Sequence, residues 1–169
     1  MQRRQNDGMN FREKIIPGDK LPAWRAALRA SGKKLVVTNG CFDILHLGHV
    51  RYLESARNLG DALLVGVNGD DSARQLKGKG HPVNPEEDRA AVLAALASVD
   101  GVCIFADKTA TPFLLAAQPD IYVKGGDYTL DTLNQEERRA VARVGGKIAI
   151  IPPVPGKSTT ALLEKISRL

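Results

Sequence analysis

Long apolar runs are absent from this chain, cysteines are scarce and aromatic side chains are few. Without a stretch of roughly 20 apolar residues no helix can cross a bilayer. The polar start, Met1 to Asn10, has no apolar core of the kind a signal peptide needs, so a cytoplasmic location is expected. Cys41 and Cys103 have no metal-ligand spacing and fall in or beside predicted strands, which makes them buried, reduced thiols. Four phenylalanines, three tyrosines and one tryptophan offer no interleaved rings for stacking on bases. The formal charge of +5 is spread along the chain without a dense basic tract. Neither nucleic acid nor membrane is therefore expected as a partner, and a small anion suits the basic balance better.

What remains is an ordinary globule: 169 residues, 43% hydrophobic and 25% charged, enough for one domain with a proper core. Residues 1–14 are polar and expected to be loose, with the domain over 15–169. Leu21, Trp24 and Leu28, with Pro22 in front and Gly32 behind, read as an introductory helix. Strands are expected over Leu35–Thr38, Ala62–Val67, Val102–Ala106, Ile121–Val123 and Lys147–Ile151, each followed by a helical pattern. In the helix opened by Asn84 and Pro85, Asn84 is the expected cap and Val92, Leu93 and Leu96 face inward. In the last helix Leu162, Leu163, Ile166 and Leu169 form the apolar stripe. A run such as Ala62-Leu63-Leu64-Val65 marks a parallel strand covered on both faces. The expected fold is α/β, a Rossmann-like doubly wound five-stranded parallel sheet in a single domain. No GxGxxG follows the first strand, which argues against a dinucleotide redox cofactor.

The stretch richest in chemistry is Thr38-Asn39-Gly40-Cys41-Phe42-Asp43-Ile44-Leu45-His46-Leu47-Gly48-His49. A strand reaches Gly40, and two of the chain's three histidines follow where a helix should begin. A helix N-terminus offers unpaired N–H groups and a positive dipole end to an anion. At i and i+3, His46 and His49 can turn both ring N–H groups to one phosphate, and Gly48 leaves room for a ligand at the backbone. Phosphoryl and nucleotidyl transfers need position and charge stabilisation more than covalent help.

Further anion-seeking features follow. Asn68-Gly69-Asp70-Asp71 sits at a strand's carboxyl end, where open α/β sheets bind ligands. Lys77-Gly78-Lys79-Gly80-His81-Pro82 reads as a mobile basic loop, either a phosphate clamp or simply solvated. Lys124-Gly125-Gly126-Asp127-Tyr128 allows a tight turn or a close approach of backbone to ligand. Gly156-Lys157-Ser158 is not a P-loop, because Ile151 stands where GxxxxGK[ST] needs glycine. With Thr159 and Thr160 it is a helix start, either a second anion site or plain capping by Ser158.

Gly40, Phe42, Asp43, His46, Gly48 and His49 together match GxFDxxHxGH, and this pattern resembles the signature of the cytidylyltransferase-like nucleotidyltransferases. The resemblance extends over the chain from about Ile15 onward. It implies in-line attack on the α-phosphorus of a nucleotide, with His46 and His49 as catalytic donors and Lys77 set against phosphate. It also implies nucleotide contacts from Asn39, Gly40, Phe42, Gly48, Asn68, Arg89, Lys124, Gly125, Asp127, Ser158, Thr159 and Thr160. Asp43 is expected to brace the signature loop. No metal ligands are legible, and Mg2+ is expected only with ATP as the substrate.

Within the family, TNGCFDILHLGH, VNGDDSARQLKGKGHPVN, VKGGDY and STT look most like the adenylyltransferases that make ADP-heptose for lipopolysaccharide. The implied substrates are ATP and a sugar phosphate, D-glycero-β-D-manno-heptose 1-phosphate, in a free-standing form without a heptose kinase. The runner-up is a cytidylyltransferase acting on glycerol 3-phosphate. Those enzymes carry RTxGIST, whereas Pro153 and Lys157 stand here at the arginine and isoleucine positions, which leaves open whether Lys157 supplies the missing charge. A nucleotide-binding regulator without turnover is the alternative of another class. A homo-oligomer, as a dimer, is expected from related proteins and the extra N-terminal helix.

Overall fold

Every pair of consecutive strands is joined through a helix, and the sheet that results is parallel throughout. The computed structural model describes residues 10–126 and 128–169. Within them the order is α1 (Leu21–Ala30), β1 (Leu35–Gly40), α2 (Leu47–Arg57), β2 (Ala62–Asn68), α3 (Asp70–Lys77), α4 (Glu86–Ala94), β3 (Gly101–Phe105), α5 (Thr111–Ala117), β4 (Ile121–Gly125), α6 (Gln135–Arg143), β5 (Lys147–Ile151) and α7 (Thr159–Ile166). This is the Rossmann-like five-stranded sheet expected from the sequence. β1, β2 and β4 run on to Gly40, Asn68 and Gly125, so Asn39, Asn68 and Lys124 belong to strands rather than loops.

The strands lie in the order β3-β2-β1-β4-β5. The chain therefore builds outward from β1 to β3, then crosses back to set β4 against the other side of β1. Alternating strand residues serve two cores. Leu35, Val37 and Leu64 pack with Leu21, Phe113, Leu114 and Val141 of α1, α5 and α6. Val36, Leu63 and Val65 pack with Leu53, Ala56 and Leu93 of α2 and α4. The helices that follow β1 and β4 thus cover opposite faces, and such a reversal leaves a crevice at the strands' carboxyl ends.

The two edges of the sheet are chemically unlike. At the amino edge, Asp120 Oδ2 accepts from the Leu35 N–H at 2.7 Å and Asp100 Oδ2 from the Leu63 N–H at 2.8 Å. Arg25 and Arg57 pair with these two carboxylates at 3.0 and 2.6 Å. The aspartates take up strand N–H groups that have no ladder partner, and the arginines balance them. His46, His49, Lys77 and Lys124 all lie at or beyond the other ends of the strands.

Three local expectations change. Asn84 does not cap α4: Pro85 holds the cap position, and the Asn84 side-chain amide donates to the Asp43 carbonyl at 2.7 Å. Val92 is 52% exposed, because α4 buries the face bearing Arg89, Ala90, Leu93 and Ala94. On α7, Leu162 and Leu163 are half-buried while Ile166 is exposed, as is Leu169 beyond the helix's end, since no described element covers the end of that stripe. The N-terminal side contributes as well: Phe11–Lys14 forms a 3-10 turn, Lys14 Nζ donates to the Leu96 carbonyl at 3.1 Å, and the Ile16 N–H donates to the Val102 carbonyl at 2.8 Å.

Candidate functional site

The turn after β1 is tight because Phe42 adopts a left-handed backbone, φ 47°, and folds its ring back under Gly40. A Cβ at Gly40 would lie 3.0 Å from that ring. Phe42 in turn packs edge-to-face with His49, centroids 5.5 Å apart, so the apolar ring backs the imidazole. His46 is the N-cap of α2: its Nδ1 accepts from the Gly48 N–H at 3.1 Å. The two histidine rings lie face against face, 3.9 Å between centroids with planes tilted 32°.

Gly48 serves this stack in a way different from the expectation. The space where its side chain would be is filled by the His46 ring, 2.8 Å from an ideal Cβ, and by Lys157 Cβ at 3.2 Å. Glycine there lets the imidazole close over the backbone, and no room is left for a ligand at that point. The same contact brings the start of α7 against the start of α2.

Both imidazoles are held neutral. Burial, helped by the nearby Lys157 charge, pushes His46 below its ordinary value. Burial, followed by the charges of His46 and Lys77, pushes His49 down to about 4. His49 Nδ1 is buried without a partner among the described residues. A neutral imidazole carries one proton, and with no acceptor at Nδ1 that proton belongs on Nε2. In His46 the hydrogen bond at Nδ1 fixes the same tautomer, so two N–H donors leave the stack without a charge on either ring.

The state of His49 has a measurable cost in acid. Unfolded histidines take up protons near pH 6.5, whereas the folded His49 resists until about 4. Between these values the unfolded chain binds more protons, so stability falls as pH drops from 6.5 towards 4, and the loss is complete below. Urea melts near pH 7 and near pH 5 should show a loss on the order of 1 kcal/mol that shrinks in His49→Gln. Equal losses in both proteins would rule out a His49 held neutral by its partial burial.

Asp43 braces the turn from the far side. Its carboxylate accepts from the Val83 N–H at 2.8 Å and the Asn84 N–H at 3.0 Å, and lies 2.9 Å from His81 Nδ1. Burial would raise its pKa, but these hydrogen bonds outweigh burial and lower it. The second half of the basic loop is therefore tied down, and only its start, with Gly78 and Gly80 at positive φ, follows Lys77 freely. Lys77 is exposed at the end of α3, and its charge is felt at both His49 and Cys41. Cys41 is half-buried, and burial raises its thiol more than Lys77, Arg89 and Lys124 lower it.

Across the crevice, Lys124 Nζ donates to Asn39 Oδ1 at 2.9 Å, joining the ends of β4 and β1. Gly125 beside it permits close packing of Tyr52, whose ring lies 2.6 Å from an ideal Cβ there. The Tyr52 hydroxyl donates to the Val123 carbonyl at 3.1 Å and lies 2.7 Å from Thr38 Oγ1. At α7, Ser158 Oγ accepts from the Ala161 N–H at 3.1 Å, an ordinary cap that leaves the hydroxyl proton free to donate. Thr159 is half-buried and Thr160 exposed.

Two expected ligand contacts are occupied by the protein itself. Arg89, whose side chain is fully buried, donates to the Asn84, Cys41 and Asn68 carbonyls at 3.0, 2.6 and 2.8 Å and to Asp70 Oδ1 at 2.7 Å. It is a strut beneath the site, not an open phosphate ligand. Asn68 is buried, with its amide turned to Ser72 Oγ at 3.3 Å. Asp127 lies outside the described residues. Tyr122 and Glu137, which the sequence reading passed over, sit directly behind Lys124 and Asn39: the Tyr122 hydroxyl is 2.6 Å from Asn39 Oδ1 and 2.9 Å from Glu137 Oε2. The available signal was a carboxylate at the head of the inward stripe Glu137, Ala140, Val141.

Among the described residues no group of three or more histidine, cysteine or acidic side chains is arranged to hold a metal ion. The signature's own carboxylate, Asp43, is engaged by its loop.

Residues 37–165 match the family described as cytidylyltransferase-like. The chain is 48% identical over 141 residues to the bifunctional protein HldE of Trichlorobacter lovleyi, covering 83% of this chain and 28% of that protein. It is 52% identical over 139 residues to the bifunctional protein HldE of Methylococcus capsulatus, covering 82% and 29%. The chain thus spans less than a third of the length of these curated relatives. A lipopolysaccharide core biosynthesis protein from Thermoplasma volcanium superposes with a TM-score of 0.61 at 30% identity, over 73% of this chain and 98% of that one. A pantoate–β-alanine ligase from Francisella tularensis, at 14% identity and a TM-score of 0.56 over 92% and 78%, shares the fold.

Proposed function

Because the chain belongs to the cytidylyltransferase-like family, we propose that it transfers AMP from ATP to D-glycero-β-D-manno-heptose 1-phosphate, giving ADP-heptose and pyrophosphate. The observation that carries the reading is the stacked pair His46 and His49 at the start of α2, two neutral donors facing a crevice whose opposite side holds Lys124. An oxygen of the sugar phosphate attacks the α-phosphorus. The new P–O bond forms as the bond to the bridging oxygen of the β-phosphate breaks, and pyrophosphate leaves with the electron pair.

The Nε2–H groups of His46 and His49 donate to the α-phosphate oxygens as charge builds on them. Lys77 and Lys124 approach the phosphates from either side of the histidines, and Lys157, packed against Gly48, adds a third cation. Ser158, Thr159 and Thr160 with the first N–H groups of α7 hold the departing phosphates. Magnesium bound with the nucleotide would supply charge neutralisation at the phosphates. The heptose rests on the sequence segments quoted above and on the likeness to a lipopolysaccharide core biosynthesis protein.

The test is pyrophosphate release with magnesium, offering ATP and CTP each against heptose 1-phosphate and glycerol 3-phosphate. Turnover is expected with ATP and the heptose phosphate alone. Turnover only with CTP would overturn the choice of nucleotide while keeping the chemistry. Silence in all four mixtures, with ATP still bound, would replace the enzyme by a nucleotide-binding regulator.

A further inference from the structure

Behind the crevice lies a buried polar group whose purpose the transfer reaction leaves unexplained. Glu137 is 7% exposed and sits on the first turn of α6, among the apolar residues Ala140 and Val141 of the same face. Its two oxygens do different things. Oε1 accepts from the Ala110 N–H at 3.1 Å, which anchors the turn before α5 and is a structural task. Oε2 faces the site: the Tyr122 hydroxyl lies 2.9 Å away and Lys124 Nζ 3.8 Å away.

A carboxylate this close to a phosphate site works against anion binding, so attraction of substrate cannot be what it contributes. Its effect falls on Lys124. Lys124 is 9% exposed, and its ammonium is hydrogen-bonded to Asn39 Oδ1 at 2.9 Å and placed 5.5 and 5.3 Å from the Tyr122 and Tyr128 ring centres. With one N–H on Asn39, two protons remain for a ligand. Among the described residues Glu137 is the carboxylate within ion-pair distance of it.

We propose that Glu137 is a positioning residue: its Oε2 holds the Lys124 ammonium, which itself donates to Asn39 Oδ1, at the joined ends of β4 and β1, so that a charged donor stands ready opposite the histidine pair. The role at turnover rests on the reading of Lys124 as a nucleotide contact. Burial pushes the Lys124 pKa down, and Glu137, followed by Cys41 when ionised to thiolate, pulls it back up. The groups facing the ammonium are therefore Glu137 from α6, Cys41 from the signature turn, Asn39 from β1, and Tyr122 and Tyr128 from β4 and the turn after it. Without the carboxylate the buried ammonium has, among the described residues, no counter-charge of comparable reach, and it sheds its proton at lower pH.

The experiment is Glu137→Gln, which keeps the side chain's size and an acceptor for the Ala110 N–H. Carbon-13-labelled lysine NMR follows Lys124, identified by its loss in Lys124→Met, and needs no substrate. The titration midpoint of Lys124 should fall by about one pH unit or more. In turnover, the alkaline limb of kcat/KM should move down by the same amount, and Glu137→Gln should change kcat/KM no further in a Lys124→Met background. An unmoved midpoint and limb in a folded Glu137→Gln would overturn the proposal and leave Glu137 with the Ala110 anchor alone. Should Glu137→Gln fail to fold, Glu137→Asp is judged by the same two readings, with a smaller fall expected because the charge is kept at shorter reach. If the wild type releases no pyrophosphate, the proposed reaction falls, and the Lys124 midpoint still decides whether Glu137 holds that ammonium.

Discussion

His49→Ala should lower kcat by about 10²–10³-fold with little change in thermal stability near neutral pH. The ring it removes is the more enclosed of the two, packed edge-to-face with Phe42 and stacked on His46 at 3.9 Å. It is therefore a donor fixed in place before substrate arrives, and such a donor costs no reorganisation when charge develops. Because the proposed interaction strengthens only in the transition state, kcat and kcat/KM should fall together while KM stays within a few-fold. Steady-state pyrophosphate release with saturating nucleotide gives the answer. A variant within about threefold of the wild-type rate would remove His49 from the chemistry.

Arg89→Met should do the reverse, taking stability and sparing the chemistry of whatever protein remains folded. The arginine's side chain has no exposure and ties three backbone carbonyls and Asp70 together. Removing it strands those acceptors beneath the site, a loss of about 3–5 kcal/mol for a buried charge with partners. At roughly 2–4 °C per kcal/mol for a domain of this size, the midpoint of a thermal melt should drop by roughly 10 °C or more. Arg89→Lys should recover little of this, since a point charge cannot reproduce the planar fork. An unshifted melt with a raised KM for nucleotide would instead make Arg89 the phosphate ligand that its family resemblance implies.

These two residues also show what a sequence can and cannot disclose. His46 and His49 were legible because their geometry is local: a strand, a glycine and a helix start fix both rings within four positions. The parallel sheet was legible from apolar runs, though periodicity says nothing about which strands become neighbours. Arg89 and Asn68 were misread because their partners are carbonyls and hydroxyls brought in by distant segments, and a carbonyl leaves no mark in the residue type. Asn84 was read as a helix cap because capping is local, whereas its actual partner, the Asp43 carbonyl, lies 41 residues away. Glu137 carried a sign that went unused, an acid heading an apolar stripe. Gly48 was recognised as necessary but for a ligand's sake, when the group that needs its bareness is His46 itself.

The reversal of strand order that opens the crevice also sets when the site comes into being. β1, β2 and β3 are consecutive neighbours, so their pairing closes modest loops. The Lys124–Asn39 contact spans 85 residues, and the abutment of Lys157 on Gly48 spans still more. Contacts of that separation are slow to form, and in a chain made from its N-terminus their later partners emerge last. A partly made chain thus carries the histidine signature without an opposite wall, and a nucleotide bound as proposed would bridge the start of α2 to Lys124 and the start of α7. Under the proposed reading, ligand binding and completion of the fold would be one equilibrium, with nucleotide as a staple across the latest-formed contacts.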